Sequence, residues 1–420
     1  MRPTPLTRFC AYGFLKNQRY FEPFLFVALM AKGSSFFEIG LLIALRELTV
    51  NLVEIPSGAW ADGYGRRRAM LTSFAAYIAS FAIFGTANSL AWFALAMVAY
   101  GVGDAFRTGT HKAMIFDWLR SQGREEERTE IYGYTRSWSK RGSAVSGLVA
   151  AAFVFWADDL TWIFWAAIPP YLINAVNLLG YPDEVDGPRS ADGTGGVWAR
   201  TREQVREAFG RGSLRALLVE SMGFEGLFHA VKDYLQPLLL VLAVGLVIGS
   251  AELSEVQRTA VLVGPIYALL HLLSSAASRR AHRFAGWAGG EESAARRLWA
   301  IVLLAFAGVA ATAWWGRAGW MVLPFVVLHV AQNLWRPVLI ARLDARRDEG
   351  SGATLLSVES QSRRVATMLL APLIGWLADR AGSEGSLEQL LPVGVCGFII
   401  AAAFALRGSR PAPGASERFE

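Results

Sequence analysis

The sequence predicts an all-α membrane protein whose twelve transmembrane helices form two six-helix, pseudo-symmetric halves. Its 420 residues are 53% hydrophobic and only 18% charged, and the mean hydropathy is +0.32. This composition is too apolar for an ordinary soluble protein. Apolar stretches of roughly 20 residues, the length that crosses a bilayer, recur along the chain. One long polar segment at 181–213 divides them into two groups.

Each half contains six candidate spans. They cover residues 9–31, 36–61, 69–88, 90–117, 132–156, 160–180, 214–246, 257–278, 298–315, 319–341, 353–378 and 388–406. The polar segment is rich in Gly, Pro, Asp and Arg. We therefore expect a cytoplasmic linker at 181–213 between halves at 1–180 and 214–407, and a cytoplasmic tail at 408–420. Within the linker, 197–209 is either an amphipathic helix on the inner leaflet or a solvated helix that contacts nothing.

The distribution of basic residues predicts the orientation. If the N-terminus is cytoplasmic, roughly 25 basic residues lie in inside segments and about four lie outside, which is a strong positive-inside signal. Examples are GRRR at 65–68 and SRRAHR at 278–283. We therefore expect an integral protein of the bacterial inner membrane with both termini cytoplasmic. The basic excess behind the net charge of +6 then lies where anionic lipid of the inner leaflet attracts it. No nucleic-acid partner is expected, because no basic run alternates with exposed aromatic residues.

Motifs for catalysis or metal binding are missing from the sequence. Cys10 and Cys396 have no metal-ligand or disulfide spacing and are expected to pack as small apolar residues. The stretch GSAVSG is not a nucleophile elbow, and neither a Walker loop nor an H-E-x-x-H pattern occurs. We therefore expect no enzyme activity, no cofactor and no metal. No cleavable signal peptide is evident at the N-terminus.

The most specific motif is GAWADGYGRRRAML at 58–71, between spans two and three. We expect Gly58 to allow close helix approach, Asp62 to cap the next helix, and Gly65 to permit a tight reversal. Arg66 and Arg67 should remain in the inner interface. The motif resembles the G-x-x-x-D-x-x-G-R-R/K loop of the major facilitator superfamily and occurs where that family has it. With twelve spans and a central linker, the resemblance covers essentially the whole chain.

The resemblance implies a secondary active transporter that moves a small organic solute by alternating access, usually with protons as the coupling ion. It also implies that Asp117 pairs with the arginines of the loop. The expected gate set is therefore Gly58, Asp62, Gly65, Arg66, Arg67 and Asp117. A similar pattern, PLIGWLADRAG at 372–382, fits the inverted repeats of that fold, although so short a match also arises by chance.

Polar residues share one face of spans one, two, four, seven and ten on helical wheels. Lipid cannot solvate such faces, so we expect them to line a shared interior, as spans one, four, seven and ten do in that family. The alternative is that these residues bond to neighbouring helices and contact no substrate. The expected substrate-cavity residues are Lys16, Arg19, Tyr20, Asp104, Arg107, His111, Glu225, His229, Lys232, Gln332, Asn333 and Arg336.

Several roles within this set remain open. The candidates for proton coupling are Glu47, Glu54, Asp104 and Glu225, because embedded carboxylates can bind and release protons; Glu54 is also close to the gate loop. Arg107 either pairs with Asp104 or contacts a ligand. Span eleven adds Glu359 and Arg363 within one turn, and Arg363 and Arg364 are alternative gate residues. The basic members Lys16, Arg19, Arg107, Lys140, Arg336 and Arg363 either hold an anionic substrate or are neutralised by the acidic members.

The sequence of span five bears on the direction of transport. Drug antiporters of the family commonly carry G-x-x-x-G-P-x-x-G-G in span five, whereas RGSAVSGLVAA at 141–151 has no Gly-Pro; the departure weakens drug antiport without excluding export. The expected partners are a small-molecule substrate, the lipid bilayer and protons, and the protein is expected to be a monomer. The competing class is a non-transporting sensor or lipid-interacting membrane protein of the same fold.

Overall fold

The computed structural model describes residues 4–186, 206, 209–210, 212–245, 253–346, 352–383 and 385–407. These residues form helices and no β-strand, which agrees with the predicted all-α class. The linker helix predicted at 197–209 falls almost entirely outside the described residues, and the tail at 408–420 lies wholly outside them. The helices are α1 (Pro5–Leu15), α2 (Leu25–Ala31), α3 (Phe36–Tyr64), α4 (Arg66–Thr86), α5 (Leu90–Arg107), α6 (Thr110–Ser121), α7 (Arg128–Ala157), α8 (Trp162–Leu179), α9 (Gly212–Ser221), α10 (Leu227–Val231), α11 (Leu235–Gly245), α12 (Glu255–Ala288), α13 (Glu291–Trp314), α14 (Ala318–Asp344), α15 (Gly352–Arg380) and α16 (Leu391–Arg407).

Seven spans in the described part of the chain are long and apolar enough to cross a membrane. They are Arg66–Thr86, Trp162–Leu179, Gly212–Gly245, Glu255–Ala288, Glu291–Trp314, Ala318–Asp344 and Leu387–Leu406. The other five predicted spans are not among these seven. The first and fourth are interrupted and therefore short, and α3, α7 and α15 each carry several charged residues. The count of twelve membrane helices therefore stays a prediction.

The chain divides into two compact units. The first comprises Met1–Val205 and Leu242–Leu272, and the second comprises Arg206–Val241 and Leu273–Glu420. The first unit contains a core of tyrosine and phenylalanine rings. Tyr77 is fully buried in it, and its ring centroid lies 4.8 Å from that of Tyr171 and 5.1 Å from that of Tyr100.

The first predicted span, 9–31, is wrong as a single helix. The structure has α1 and α2, separated by turns at 16–24. Pro23 lies in the break and has no N–H to donate. The Asn17 Nδ2 donates to the carbonyl of Gly13 at 2.7 Å, and the Gln18 Nε2 donates to the carbonyl of Gly142 at 3.2 Å. Side-chain bonds to the backbone therefore replace the helical ladder where the polar residues cluster.

The fourth predicted span, 90–117, is also interrupted. Helix α5 ends at Arg107, and Gly109 adopts φ +79° before α6 begins at Thr110. This left-handed conformation favours glycine and ends a helix. The Asp104 carbonyl accepts both the Thr108 N–H at 3.0 Å and the Thr108 hydroxyl at 2.8 Å at the end of α5. A helical wheel is therefore valid for Asp104 and Arg107 but does not continue to the residues of α6.

The seventh predicted span, 214–246, is continuous but changes its helical pitch twice. A π-helical turn at Met222–Gly226 and a 3₁₀ turn at Lys232–Tyr234 interrupt the α-helical geometry. Each change rotates the following side chains relative to a constant wheel. The π turn contains Glu225, whose exposed fraction is only 1%. The wheel that placed Lys232 beside Glu225 therefore assumed a pitch that this segment lacks.

Candidate functional site

The reversal between α3 and α4 occurs at Gly65, whose φ of +104° is accessible mainly to glycine. Arg66 begins α4 and forms ion pairs with Asp117 of α6 and, at 3.6 Å, with Asp62 of α3. Asp117 is buried and also accepts a hydrogen bond from Arg120 Nη1 at 3.2 Å. Arg66 therefore joins the start of α4 to the ends of α3 and α6 through two carboxylates, Asp62 and Asp117.

Two details of the predicted gate set are wrong. Gly58 is exposed in α3, and a Cβ there would meet no atom within 4 Å among the described residues, so this glycine does not mark a close helix approach. Asp62 does not cap α4. The cap is Asp186, whose Oδ1 accepts the Arg67 N–H at 2.7 Å, while Arg67 Nη2 donates to the Tyr181 carbonyl at 3.0 Å. Asp62 cannot cap because its carboxylate is directed to Arg66.

Asp104 and Arg107 form a hydrogen-bonded pair with Tyr77 in the first unit. Arg107 Nη2 donates to Asp104 Oδ1 at 2.8 Å, and its Nε donates to the Tyr77 hydroxyl at 2.9 Å. The same hydroxyl donates to Asp104 Oδ1 at 2.5 Å. All three side chains are thus satisfied within one triangle. Of the two alternatives for Arg107, the structure has the pair with Asp104.

A polar cavity of about 340 Å³ lies in the first unit. It is lined by α1, α6 and α7, and it contains Lys16 and His111 from the predicted set. The His111 ring stacks on Tyr12 with centroids 3.7 Å apart, and its Nε2 lies 2.9 Å from the Tyr181 hydroxyl. Helix α7 contributes Arg136, which lies outside the polar faces predicted for spans one, two, four, seven and ten.

Arg19 and Tyr20 diverge from Lys16 in the structure. Arg19 pairs weakly with Glu22 at 3.8 Å, and its buried Nε has no hydrogen-bond partner among the described residues. Tyr20 lines a separate apolar groove of about 530 Å³ together with Phe153 and Trp162. Its predicted place in the same cavity as Lys16 is wrong, because the turns at 16–24 direct the two side chains apart.

The carboxylate of Glu47 is paired within α3. Arg46 Nη2 lies 2.5 Å from Glu47 Oε1, and the Arg46 Nε lies 3.2 Å from the same atom. The helical wheel separated these two residues, but a guanidinium on a long side chain reaches its sequence neighbour. Glu54 lies two turns further along α3, and its backbone carbonyl accepts the Ser57 hydroxyl at 2.9 Å.

Two buried glutamates and two arginines form the main charged cluster of the second unit. Arg336 Nη1 lies 2.8 Å from both carboxylate oxygens of Glu359 and 3.6 Å from Glu225 Oε1. Arg363 Nη1 lies 3.6 Å from Glu225 Oε2 and 2.8 Å from His229 Nε2. The Ser221 hydroxyl donates to Glu359 Oε1 at 2.5 Å. Helices α9, α10, α14 and α15 and the π turn therefore meet at this cluster.

The remaining predicted residues of the second unit have local partners. Lys232 Nζ bonds to both carboxylate oxygens of its neighbour Asp233, at 2.8 and 3.0 Å. Asn333 Nδ2 donates to the His329 carbonyl at 2.9 Å, and Gln332 lies beside Glu225. Glu359 was not among the predicted site residues. Its signal was a glutamate and an arginine four residues apart in an apolar span.

A second cluster of the same unit was missed entirely. Arg342 Nη2 lies 2.9 Å from Glu220 and 2.8 Å from Glu292, and Arg346 Nη2 lies 2.5 Å from Glu292. The Trp299 Nε1 donates to Glu220 Oε1 at 2.9 Å. Its partners carry no local sequence signal, because they are far apart in the chain and the two arginines also fit the positive-inside pattern.

Comparison with known proteins identifies the family. A sequence model described as the Major Facilitator Superfamily matches residues 8–358. The chain belongs to the major facilitator superfamily. It is therefore an integral, multi-pass membrane protein of a transporter family.

Similar proteins agree with this assignment. The chain is 33% identical over 90 residues to the "Uncharacterized MFS-type transporter YxaM" of Bacillus subtilis (strain 168), a match covering 21% of this chain and only 23% of that protein. The crystal structure of the nucleoside transporter NupG has a TM-score of 0.78 at 12% identity, covering 97% of this chain and 100% of that one. A D-xylose-proton symporter has a TM-score of 0.70 at 11% identity, covering 97% of each chain. At these identities the two structures establish the fold alone.

Proposed function

We propose that the chain is a proton-coupled secondary transporter that moves a small organic solute by alternating access. The observation that carries the proposal is the buried cluster of Glu225, Glu359, Arg336 and Arg363. With both carboxylates ionised its formal charge is zero, and adding one proton leaves it positive. Such a change inside a membrane helix is a large electrostatic perturbation. It can therefore bias an element that has two conformations.

Glu225 is the best candidate for the coupled proton. Glu359 is held by short bonds from Arg336 and Ser221, whereas the nearest cations to Glu225 lie at 3.6 Å. The buried Glu225 Oε1 accepts no hydrogen bond from the described residues. Protonation at this oxygen breaks no short bond. It also releases part of the attraction that holds Arg336 and Arg363 together.

The carboxylates of the first unit are less suited to that role. Asp104 accepts two short bonds, at 2.8 Å from Arg107 and at 2.5 Å from Tyr77. Glu47 is bound at 2.5 Å by Arg46. Protonating either one removes a charge-assisted hydrogen bond, which stabilises the ionised form. We therefore rank them below Glu225 and assign the Asp104 triangle to the rigid frame of its unit.

We also propose where the protein lies in the cell and which ion pairs gate its transport path. Charge asymmetry supports the bacterial inner membrane with cytoplasmic termini, and we expect a monomer. The pairs Arg66–Asp117 and Arg342–Glu292 are proposed to open and close during transport, because each joins the end of one helix to another helix.

The test is flux into proteoliposomes containing the purified full-length chain. A defined mixture of sugars, nucleosides, amino acids and carboxylic acids is supplied outside, and mass spectrometry measures accumulation under an imposed pH gradient of either polarity. We expect at least one solute to accumulate with one polarity, which also gives the direction of transport. A protonophore should abolish the accumulation. No movement of any solute under either gradient would contradict transport and favour the competing class, a sensor of the same fold.

A Glu225→Gln variant tests the coupling residue in the same assay. It should exchange the solute across the membrane but not accumulate it, because the side chain no longer binds and releases a proton. Lys232→Gln is the control, since Lys232 lies in the same helical span and, among the described residues, forms its ion pair with Asp233. A Glu225→Gln protein that still concentrates solute against a gradient would exclude this residue.

A further inference from the structure

The polar cavity of the first unit has charges of one sign only. Its charged lining residues are Lys16, directly after α1, and Arg136 and Lys140 of α7, and the ring of His111 also lines it. No carboxylate is among the residues that line it. Neutral hydrogen-bonding groups complete the wall, namely Asn17, Thr135, Ser139 and Ser143.

None of the three cations has a carboxylate partner among the described residues that line the cavity. Within the described residues, none of them forms an ion pair with a carboxylate, and Lys16 instead lies 5.5 Å from the centroid of the Tyr12 ring. Arg136 and Lys140 are four residues apart on α7 and therefore share a face, an arrangement that is destabilising for like charges. No carboxylate among the described lining residues offsets this repulsion.

Other arginines of the membrane helices behave differently. Arg46, Arg107 and Arg336 each contact a carboxylate at 2.8 Å or less. By contrast, the three cations around the cavity, of which Arg136 and Lys140 are exposed, make no such contact within the described residues. Unpaired cations beside neutral donors match the recognition of carboxylate or phosphate oxygens.

We propose that this cavity binds a small, polar organic anion bearing a carboxylate or phosphate group, held by Lys16, Arg136 and Lys140. The volume of about 340 Å³ falls within the range of small-molecule sites. The inference rests on the proposed function, because it names the chemical class of the solute that the transporter moves.

Binding by the purified full-length chain tests the class directly. The probes are succinate, its uncharged diamide succinamide, the cationic four-carbon 1,4-diaminobutane, and glycerol 3-phosphate, each measured by calorimetry and by thermal shift. We expect succinate or glycerol 3-phosphate to bind and to raise the melting temperature, and the neutral and cationic probes to bind at least tenfold more weakly. Equal binding of succinamide, or no binding of either anion, would overturn the proposal.

Variants locate the binding. Arg136→Gln with Lys140→Gln should weaken anion binding at least tenfold, whereas Arg136→Lys keeps the charge and should retain most of it. Arg141→Gln is the matched control, because Arg141 follows Lys140 but packs on the Trp138 ring at 4.8 Å and does not line the cavity. Unchanged affinity in the double variant, or an equal loss in the control, would contradict the assignment.

An anionic lipid headgroup offers the same chemistry, and a lipid arm separates the two sources. The chain is placed in nanodiscs of phosphatidylcholine alone or with phosphatidylglycerol, and succinate binding is measured in each. Binding of the soluble anions in both lipids is expected. Stabilisation of the chain by phosphatidylglycerol, with no binding of a soluble anion in either lipid, would assign the cavity to lipid and overturn the proposal.

The two proposals fail in different ways. Anion binding without flux in proteoliposomes would contradict transport and leave the anion site intact. Flux of a neutral or cationic solute, with no anion binding and with unchanged flux in Arg136→Gln with Lys140→Gln, would contradict the anion site and leave transport intact.

Discussion

Glu292 in the first turn of α13 lies 2.8 Å from Arg342 near the end of α14. In the first unit, Arg66 begins α4 and pairs with Asp117 near the end of α6. These helices correspond to the third and fourth predicted spans of each half. The two units therefore use the same type of contact with the signs of the charges exchanged. Exchanging the signs preserves the attraction between the two helices in each unit.

The first prediction concerns the Arg66–Asp117 pair. Arg66→Gln should destabilise the protein, because it leaves the buried Asp117 with only the exposed Arg120. Breaking a fully buried pair costs about 3 to 5 kcal/mol, and the remaining arginine should reduce that loss. The measurement is thermal unfolding in detergent.

Arg68→Gln is the control, since Arg68 is exposed in the same turn and should change stability little. Restoration of stability by Arg66→Asp with Asp117→Arg would support the ion pair. An equal melting temperature for Arg66→Gln and Arg68→Gln would show that the pair contributes nothing.

The second prediction concerns the cap of α4. Asp186→Ala should destabilise the protein by about 1 kcal/mol, the usual contribution of a helix N-cap. Asp183→Ala is the matched control, because its carboxylate is 98% exposed and its ion pair with Arg67 should contribute little. Thermal unfolding of both variants tests the difference. If the Asp183 variant loses as much stability as the Asp186 variant, the cap is not the cause.

The class of fold could be predicted from the sequence because hydropathy and charge asymmetry are properties of local composition. The interruptions at Pro23 and Gly109 also had local signals. The helical wheels nevertheless assumed constant pitch across them, and this misplaced Tyr20 and extended the stripe of Asp104 to His111. Contacts between distant residues had no such signal, since Ser221 and Glu359 are 138 residues apart in the chain.

The third prediction compares the two buried glutamates. Glu359→Gln should destabilise the second unit more than Glu225→Gln, because Glu359 accepts bonds from Arg336 and Ser221 at 2.8 Å or less, whereas the cations around Glu225 lie at 3.6 Å. The melting temperatures of the two variants in detergent measure this difference. Equal losses would indicate that the cluster acts as one unit, and a larger loss for Glu225→Gln would contradict the proposed division of roles.

The last prediction concerns Arg107. Its guanidinium bonds to Asp104 and to the Tyr77 hydroxyl, so removing it leaves a carboxylate with only the tyrosine as a partner. Arg107→Gln should therefore destabilise the protein, by less than the roughly 3 to 5 kcal/mol of a fully buried pair, because the Arg107 and Asp104 side chains are 17% and 22% exposed. Adding Asp104→Asn removes the unpaired charge and should recover most of that loss, since the coupling of two contacting residues is not additive.

The measurement is unfolding of Arg107→Gln, Asp104→Asn and the double variant, together with the affinity of each for succinate. Stability lost in the single arginine variant and recovered in the double, with affinity unchanged, would establish that Arg107 serves the helix packing. Tyr77→Phe extends the comparison, because it removes one hydroxyl that bonds to both charged groups and should destabilise wild type more than the double variant. Loss of succinate affinity with unchanged stability would instead assign Arg107 to the ligand and extend the anion site beyond Lys16.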